Sequence, residues 1–67
     1  MTIQQIRYAV AIADCNSINE AAKSLFISQP SLSNAVRELE EELEIEIFLR
    51  TSRGVTVTGK GMEFLSY

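Results

Sequence analysis

Ser17 to Arg37 reads SINEAAKSLFISQPSLSNAVR, and its pattern predicts two short helices joined by a tight turn. Ser17-Ile18-Asn19-Glu20 has the capping-box form, in which the Ser hydroxyl accepts from the third backbone N–H and the Glu reaches back. Ile18, Ala21, Ala22 and Leu25 follow at helical spacing, so one face is apolar. Ala21 and Ala22 are small enough to let another helix approach closely. The pattern breaks at Phe26-Ile27, and Ser28 offers a second N-cap. Pro30 falls in the first turn beyond it, where a missing N–H costs nothing. The second helix then carries Leu32, Val36, Leu39 and Leu43 on one side. Its opposite side holds Pro30, Asn34, Arg37 and Glu41, with Ser33 on the flank. No acidic residue occurs from Gln29 to Arg37. The first two turns therefore show amide, hydroxyl and guanidinium groups to solvent. Such groups read base edges or bind phosphates, and a helix N-terminus adds partial positive charge.

Composition narrows the function classes. Sixty-seven residues make one small domain, and 46% apolar content is ample for a three-helix, largely aliphatic core. The longest apolar runs are too short to span a bilayer, and no signal peptide is visible. The single cysteine, Cys15, rules out an internal disulfide and suits a reducing cytosol. With no histidine and no ligand spacing for a metal, neither a metal site nor another cofactor is expected. The same lack leaves an enzyme without a general base or an activated nucleophile. The net charge is −3, whereas nucleic-acid binders are usually basic. Its distribution is polarised, however. Glu38, Glu40, Glu41, Glu42, Glu44 and Glu46 crowd one segment, and Lys23, Arg37, Arg50, Arg53 and Lys60 lie elsewhere. A basic face is compatible with an acidic total. The Glu run itself reads as a solvated helix end or as a docking patch.

Working outward, Thr2-Ile3-Gln4-Gln5 has capping-box form and opens a first helix over roughly residues 3–14. Ile3, Ile6, Val10 and Ala13 form its expected core stripe, with Tyr8 and Ile12 on nearly the opposite side. Apolar residues on two faces imply two neighbours. Asn16 is suited to the left-handed conformation that ends many helices. Beyond Leu43, the latter part of Ile45-Glu46-Ile47-Phe48-Leu49 reads as a short strand. Thr51-Ser52-Arg53-Gly54 has turn composition, and Val55-Thr56-Val57 reads as the returning strand, with Arg53 at the hairpin tip. Thr58 is placed to cap a further helix through Gly59-Lys60-Gly61 and Met62-Glu63-Phe64-Leu65. That helix is still apolar at Tyr67 and has no stop signal, as expected of part of a longer chain.

Three helices followed by a hairpin define a mainly α, winged helix-turn-helix fold. The division expected is 1–58 for the winged domain and 59–67 for the start of a linker or dimerisation helix. This layout suits duplex DNA: the second helix of the pair fits the major groove and the hairpin tip reaches the neighbouring minor groove. A narrow minor groove attracts an arginine such as Arg53.

The run Ala21-Ala22, Leu25, Ser28-Gln29-Pro30-Ser31-Leu32-Ser33, Leu39-Glu40 closely resembles the N-terminal domain of LysR-type transcriptional regulators. So does Phe48-Leu49-Arg50-Thr51-Ser52-Arg53-Gly54-Val55 with Thr58 and Gly61 behind it. The resemblance covers essentially the whole chain without gaps. It implies a bacterial, cytoplasmic domain that binds double-stranded DNA sequence-specifically to regulate transcription. It further implies a homodimer or higher homo-oligomer in the full-length protein, and a small-molecule effector bound by a domain absent from this chain. By matching position, Gln29, Pro30 and Ser33 are the base-reading residues. Ser28 caps the helix and is placed as a phosphate ligand. Ser31 neighbours phosphate or base, and Arg37 and Thr51 contact the DNA backbone. Arg50 reads equally as a structural residue paired with the Glu-rich end of the third helix. For the dimer, the apolar residues of the last helix are candidates, with Tyr8 and Ile12, whose alternative is core packing.

Several positions depart from the family pattern. Asn34, on the exposed face, stands where many members carry Arg, which removes a cation from the recognition helix. Glu44 replaces a usual Gly, and a left-handed non-Gly residue costs about 1 kcal/mol, which argues for a different helix ending. Ala9 replaces a bulky aromatic and leaves a gap for Phe26 or Ile12 to fill. A competing function is a winged-helix protein-interaction module that docks through the acidic end of the third helix.

Overall fold

In a computed structural model, which describes residues 1–52 and 54–66, the elements run α1 (Ile3–Cys15), α2 (Ile18–Leu25), α3 (Gln29–Leu43), β1 (Phe48–Thr51), β2 (Gly54–Val57) and α4 (Gly59–Leu65). This is the winged helix-turn-helix expected. Each of the four helices among the described residues starts on a hydroxyl cap. The full capping box forms at α1, where Thr2 Oγ1 accepts from Gln5 N (3.1 Å) and Gln5 Oε1 accepts from Thr2 N (3.1 Å). The box expected at α2 is only half made. Ser17 Oγ accepts from Glu20 N (3.2 Å), but the Glu20 carboxylate turns to Lys23, 3.9 Å away. Ser28 Oγ caps α3 by accepting from Ser31 N (3.2 Å), with Pro30 in the first turn.

The first three helices all end on a left-handed residue other than glycine: Asn16 (φ 55°), Phe26 (φ 59°) and Glu44 (φ 58°). The departure at Glu44 therefore does not change how α3 ends. Its N–H donates to the carbonyls of Glu40 and Glu41, and Ile45 N donates back to Glu40 O (3.3 Å). These bonds satisfy the last carbonyls and outweigh the strain. Glu44→Gly should accordingly raise stability by about 1 kcal/mol with the fold unchanged. Urea unfolding checks this, and no gain would mean that Glu44 is not strained.

The core has two parts. One joins α1, α2, α3 and the wing through Ile12, Ala21, Ala22, Leu32, Val36 and Val55. The other joins α1, α3 and the approach to the wing through Ala9, Leu39 and Ile47, with Phe64 and Leu65 of α4 against it. Phe48 packs on both. Complete burial of Ile12, Leu32, Leu39 and Ile47 contributes about 2 kcal/mol each.

The expected core stripe of α1 is corrected. Ile3 is 72% exposed and Val10 40%, whereas Ala9 and Ile12 are buried and Tyr8 packs against the first cluster. Periodicity showed two apolar faces, and packing chose the one whose small Ala9 admits Leu39 and Ile47. The gap at Ala9 is not filled by Phe26, which is 94% exposed, nor by Ile12, which belongs to the other cluster.

In the wing, β1 and β2 pair antiparallel, with Arg50 opposite Val55 and Thr51 opposite Gly54. Gly54 has φ 131°, and a Cβ there would lie 2.5 Å from Asn16 O. The next N–H, of Val55, donates to that same oxygen (3.1 Å). The left-handed end of α1 is thus the seat of the returning strand.

The Glu run is also corrected at one position. Glu40 is half-buried, and its Oε2 accepts from Ile47 N (2.7 Å) and Phe48 N (3.1 Å). It anchors the segment leading into the wing instead of facing water. Ile47 O in turn accepts from Thr58 N (2.9 Å), and the Thr58 hydroxyl caps α4 through Gly61 N (2.9 Å). Among the described residues no helix is long and apolar enough to cross a membrane.

Candidate nucleic-acid interface

The buried side of α3 fixes its opposite side outward. Gln29, Pro30, Ser31, Asn34 and Arg37 are exposed, as are Ser28 before them and Thr51 on the wing, while Ser33 is half-buried. The structure therefore brings the expected α3 residues onto one surface, next to β1. Arg53, the expected hairpin tip, lies outside the described residues.

Three side-chain hydrogen bonds organise this surface. Ser28 Oγ donates to Ser31 Oγ (2.8 Å), which ties the cap to the first turn. Arg37 Nη2 donates to Asn34 Oδ1 (3.0 Å). Arg50 Nη2 donates to Ser33 Oγ (2.9 Å), across from wing to helix. On the wing itself, Thr51 Oγ1 donates to Gly54 O (3.1 Å) and closes the hairpin end.

The last helix contact corrects the structural alternative for Arg50, whose partner is Ser33 and not the Glu-rich end of α3. A signal for it was present in the strand period. Phe48 and Arg50 share a face of β1, because side chains two residues apart point the same way. Phe48 enters the core, so Arg50 emerges at the core's rim beside α3. A cleft of about 230 Å³ lies there, bordered by Ser33, Asn34, Arg37, Glu40 and Arg50. A second, of about 190 Å³, lies beyond Arg50 and is bordered by Ser17, Asn19, Gln29, Thr51 and Gly54. Among the described residues the surface is thus a helix edge and a hairpin separated by a furrow, with the Arg37 and Arg50 guanidinium groups and the Glu40 carboxylate along it and no carboxylate on α3 before Glu38.

A helix pair with its second helix open to solvent and a β-hairpin beside it defines a winged helix-turn-helix domain. The family model described as "Bacterial regulatory helix-turn-helix protein, lysR family" matches residues 3–62, and the chain belongs to that family. Among its relatives, the HTH-type transcriptional regulator ClcR of Pseudomonas putida is 42% identical over 65 residues, covering 97% of this chain and 22% of ClcR. The nitrogen assimilation regulatory protein nac of Klebsiella aerogenes is 43% identical over 61 residues, covering 91% of this chain and 20% of that protein. The chain thus spans about a fifth of the length of these relatives. Among solved structures, the BenM_DBD/catB site 1 DNA complex superposes with a TM-score of 0.95 at 42% identity, covering 100% of this chain and 75% of that one. The CbnR_DBD-DNA complex gives a TM-score of 0.95 at 33% identity, covering 98% of this chain and 76% of that one.

Proposed function

We propose that the chain is the sequence-specific DNA-binding domain of a bacterial transcription regulator, without enzymatic activity, acting in the cytoplasm. The observation that carries this reading is the exposed, carboxylate-free edge of α3 from Gln29 to Arg37, set beside the wing. The likeness to domains solved as DNA complexes supports it. α3 lies in the major groove, with Gln29, Pro30, Ser33 and Asn34 toward base edges. Gln forms a bidentate pair with adenine, and Pro suits a thymine methyl. Ser28, Ser31, Arg37 and Thr51 hold phosphates and set the register. Arg53 enters the adjacent minor groove.

In the full-length protein α4, here Gly59–Leu65, starts a linker helix, and two subunits occupy a two-fold-related site. Ile12 is only 1% exposed and belongs to the core, and the exposure of Ile3 and Val10 of α1 and Met62 of α4 supports these residues as the apolar dimer contact instead. A small-molecule effector is sensed by a separate domain of the full-length protein.

Gln29→Ala should weaken a specific operator complex by about 1–3 kcal/mol while leaving the melting temperature unchanged. Titration of a selected duplex measures this, and unchanged affinity in the folded variant would remove Gln29 from the base contacts. The acidic end of α3 offers the competing docking function, and salt separates the two. Phosphate binding makes log K fall steeply with log salt, whereas a flat slope together with a bound protein partner favours docking.

A further inference from the structure

We propose that Arg50 and Arg37 set the hydrogen-bonding polarity of the recognition surface, turning Ser33 and Asn34 into donors that select guanine in the major groove. The inference rests on the reading of α3 as the base-facing helix.

A guanidinium group only donates, so each arginine contact fixes which half of its partner's capacity is used. Ser33 has one O–H donor and an oxygen with two lone pairs, one of which accepts from Arg50 Nη2 at 2.9 Å. Asn34 has a donating NH₂ and an Oδ1 with two lone pairs, one of which accepts from Arg37 Nη2 at 3.0 Å. Each oxygen keeps one lone pair beside a guanidinium, so what both side chains offer a ligand unopposed is their N–H or O–H. The positive charge behind each oxygen also disfavours the approach of another N–H donor.

The four bases differ in what they offer such a surface. Guanine presents two acceptors, N7 and O6, and no donor. Thymine presents O4 beside a methyl group. Adenine presents N7 together with an N6 donor, and cytosine presents an N4 donor. Asn with a free amide pairs bidentately with adenine, giving through NH₂ and accepting through Oδ1. Engagement of Oδ1 by Arg37, with its charge beside the remaining lone pair, weakens half of that pair and moves the preference of Asn34 from adenine toward guanine. Arg50 does the same for Ser33, and it does so from the wing, so the hairpin influences major-groove reading without touching a base. Arg50 is therefore a positioning residue.

The test is selection of bound duplexes from a random pool by the chain and its variants. Ser33→Ala and Asn34→Ala identify, by the columns they alter, the base pairs those residues read. The expected wild-type preference in both columns is guanine. Arg50→Met, checked for folding by its melting curve, removes the N–H and the charge that oppose acceptance at the Ser33 oxygen. It should lower discrimination against cytosine and adenine in that column about tenfold and leave the remaining columns alone. Arg50→Lys, which keeps a donor and the charge, should retain most of the discrimination.

Any base other than guanine in the wild-type columns overturns the inference with no Arg50 variant needed. So does an Arg50→Met variant whose Ser33 column is unchanged. Equal weakening toward every sequence, with the salt slope reduced by about one, also overturns it, because Arg50 is then a phosphate contact. Failure of the wild type to enrich any sequence would overturn the DNA-binding reading itself, and the inference with it.

Discussion

Glu40→Ala lowers the stability of the domain by about 3 kcal/mol and its melting temperature by about 15 °C. The carboxylate oxygen accepts from two backbone N–H groups, of Ile47 at 2.7 Å and Phe48 at 3.1 Å, in a half-buried site. Truncation leaves both part-buried donors without their acceptor, and hydrogen bonds to a charged acceptor are among the stronger ones. A core of this size rarely supplies more than about 3–5 kcal/mol, so the loss is most of the margin. Glu40→Gln keeps an amide oxygen in reach and should fall between the two. The neighbours Glu38 and Glu41 are exposed, and their alanine variants should stay within about 0.5 kcal/mol of wild type. Urea and thermal unfolding of the four variants provide the measurement. Equal effects at positions 40 and 41 would show that these two bonds do not hold the segment.

Gly61→Ala lowers stability by about 2 kcal/mol, whereas Gly59→Ala, two residues earlier in the same helix, leaves it unchanged or raises it by about 0.5 kcal/mol. A Cβ at position 61 would stand 2.5 Å from Ile47 O and 2.9 Å from Ile47 Cα. Both are backbone atoms, held by Glu40 and by Thr58 N, so neither yields as a side-chain end would. The helix must lift instead, taking Phe64 and Leu65 off the second core cluster. At position 59 a Cβ meets nothing within 4 Å, and alanine there only restricts the unfolded chain. Melting temperatures of the two single variants settle the comparison. If they shift together, close approach to Ile47 is not what position 61 requires.

Both effects converge on the approach to the wing, which is where the sequence was least informative. The α2–α3 pair was legible because its signals are local. Ser17 and Ser28 cap the helix that follows each, Pro30 marks a first turn, and Leu32, Val36 and Leu39 return at helical spacing and are buried. The hairpin was legible for a similar reason, since β-branched residues follow a turn containing Gly54. Those same signals oriented α3, and with it the outward Gln29, Asn34 and Arg37. On α1 the pattern failed, because two apolar stripes satisfy one period equally and the period does not say which neighbour each will meet. Glu40 was indistinguishable from the glutamates around it by composition. Glu44 adopts the left-handed geometry that its residue type argued against, because the bonds to Glu40 and Glu41 carbonyls hold it there.

By itself, then, the order of residues determined the four helices, the wing and the carboxylate-free edge of α3. Caps, turns and periodicities act within a few residues along the chain, so they are written in it directly. Only tertiary structure decided that Ile12 goes inward and Val10 outward, that Gly61 has no room for a methyl group, and that Arg50 holds Ser33. Those outcomes depend on contacts such as the one spanning 17 residues from wing to helix, and such pairs become neighbours only once the core has packed.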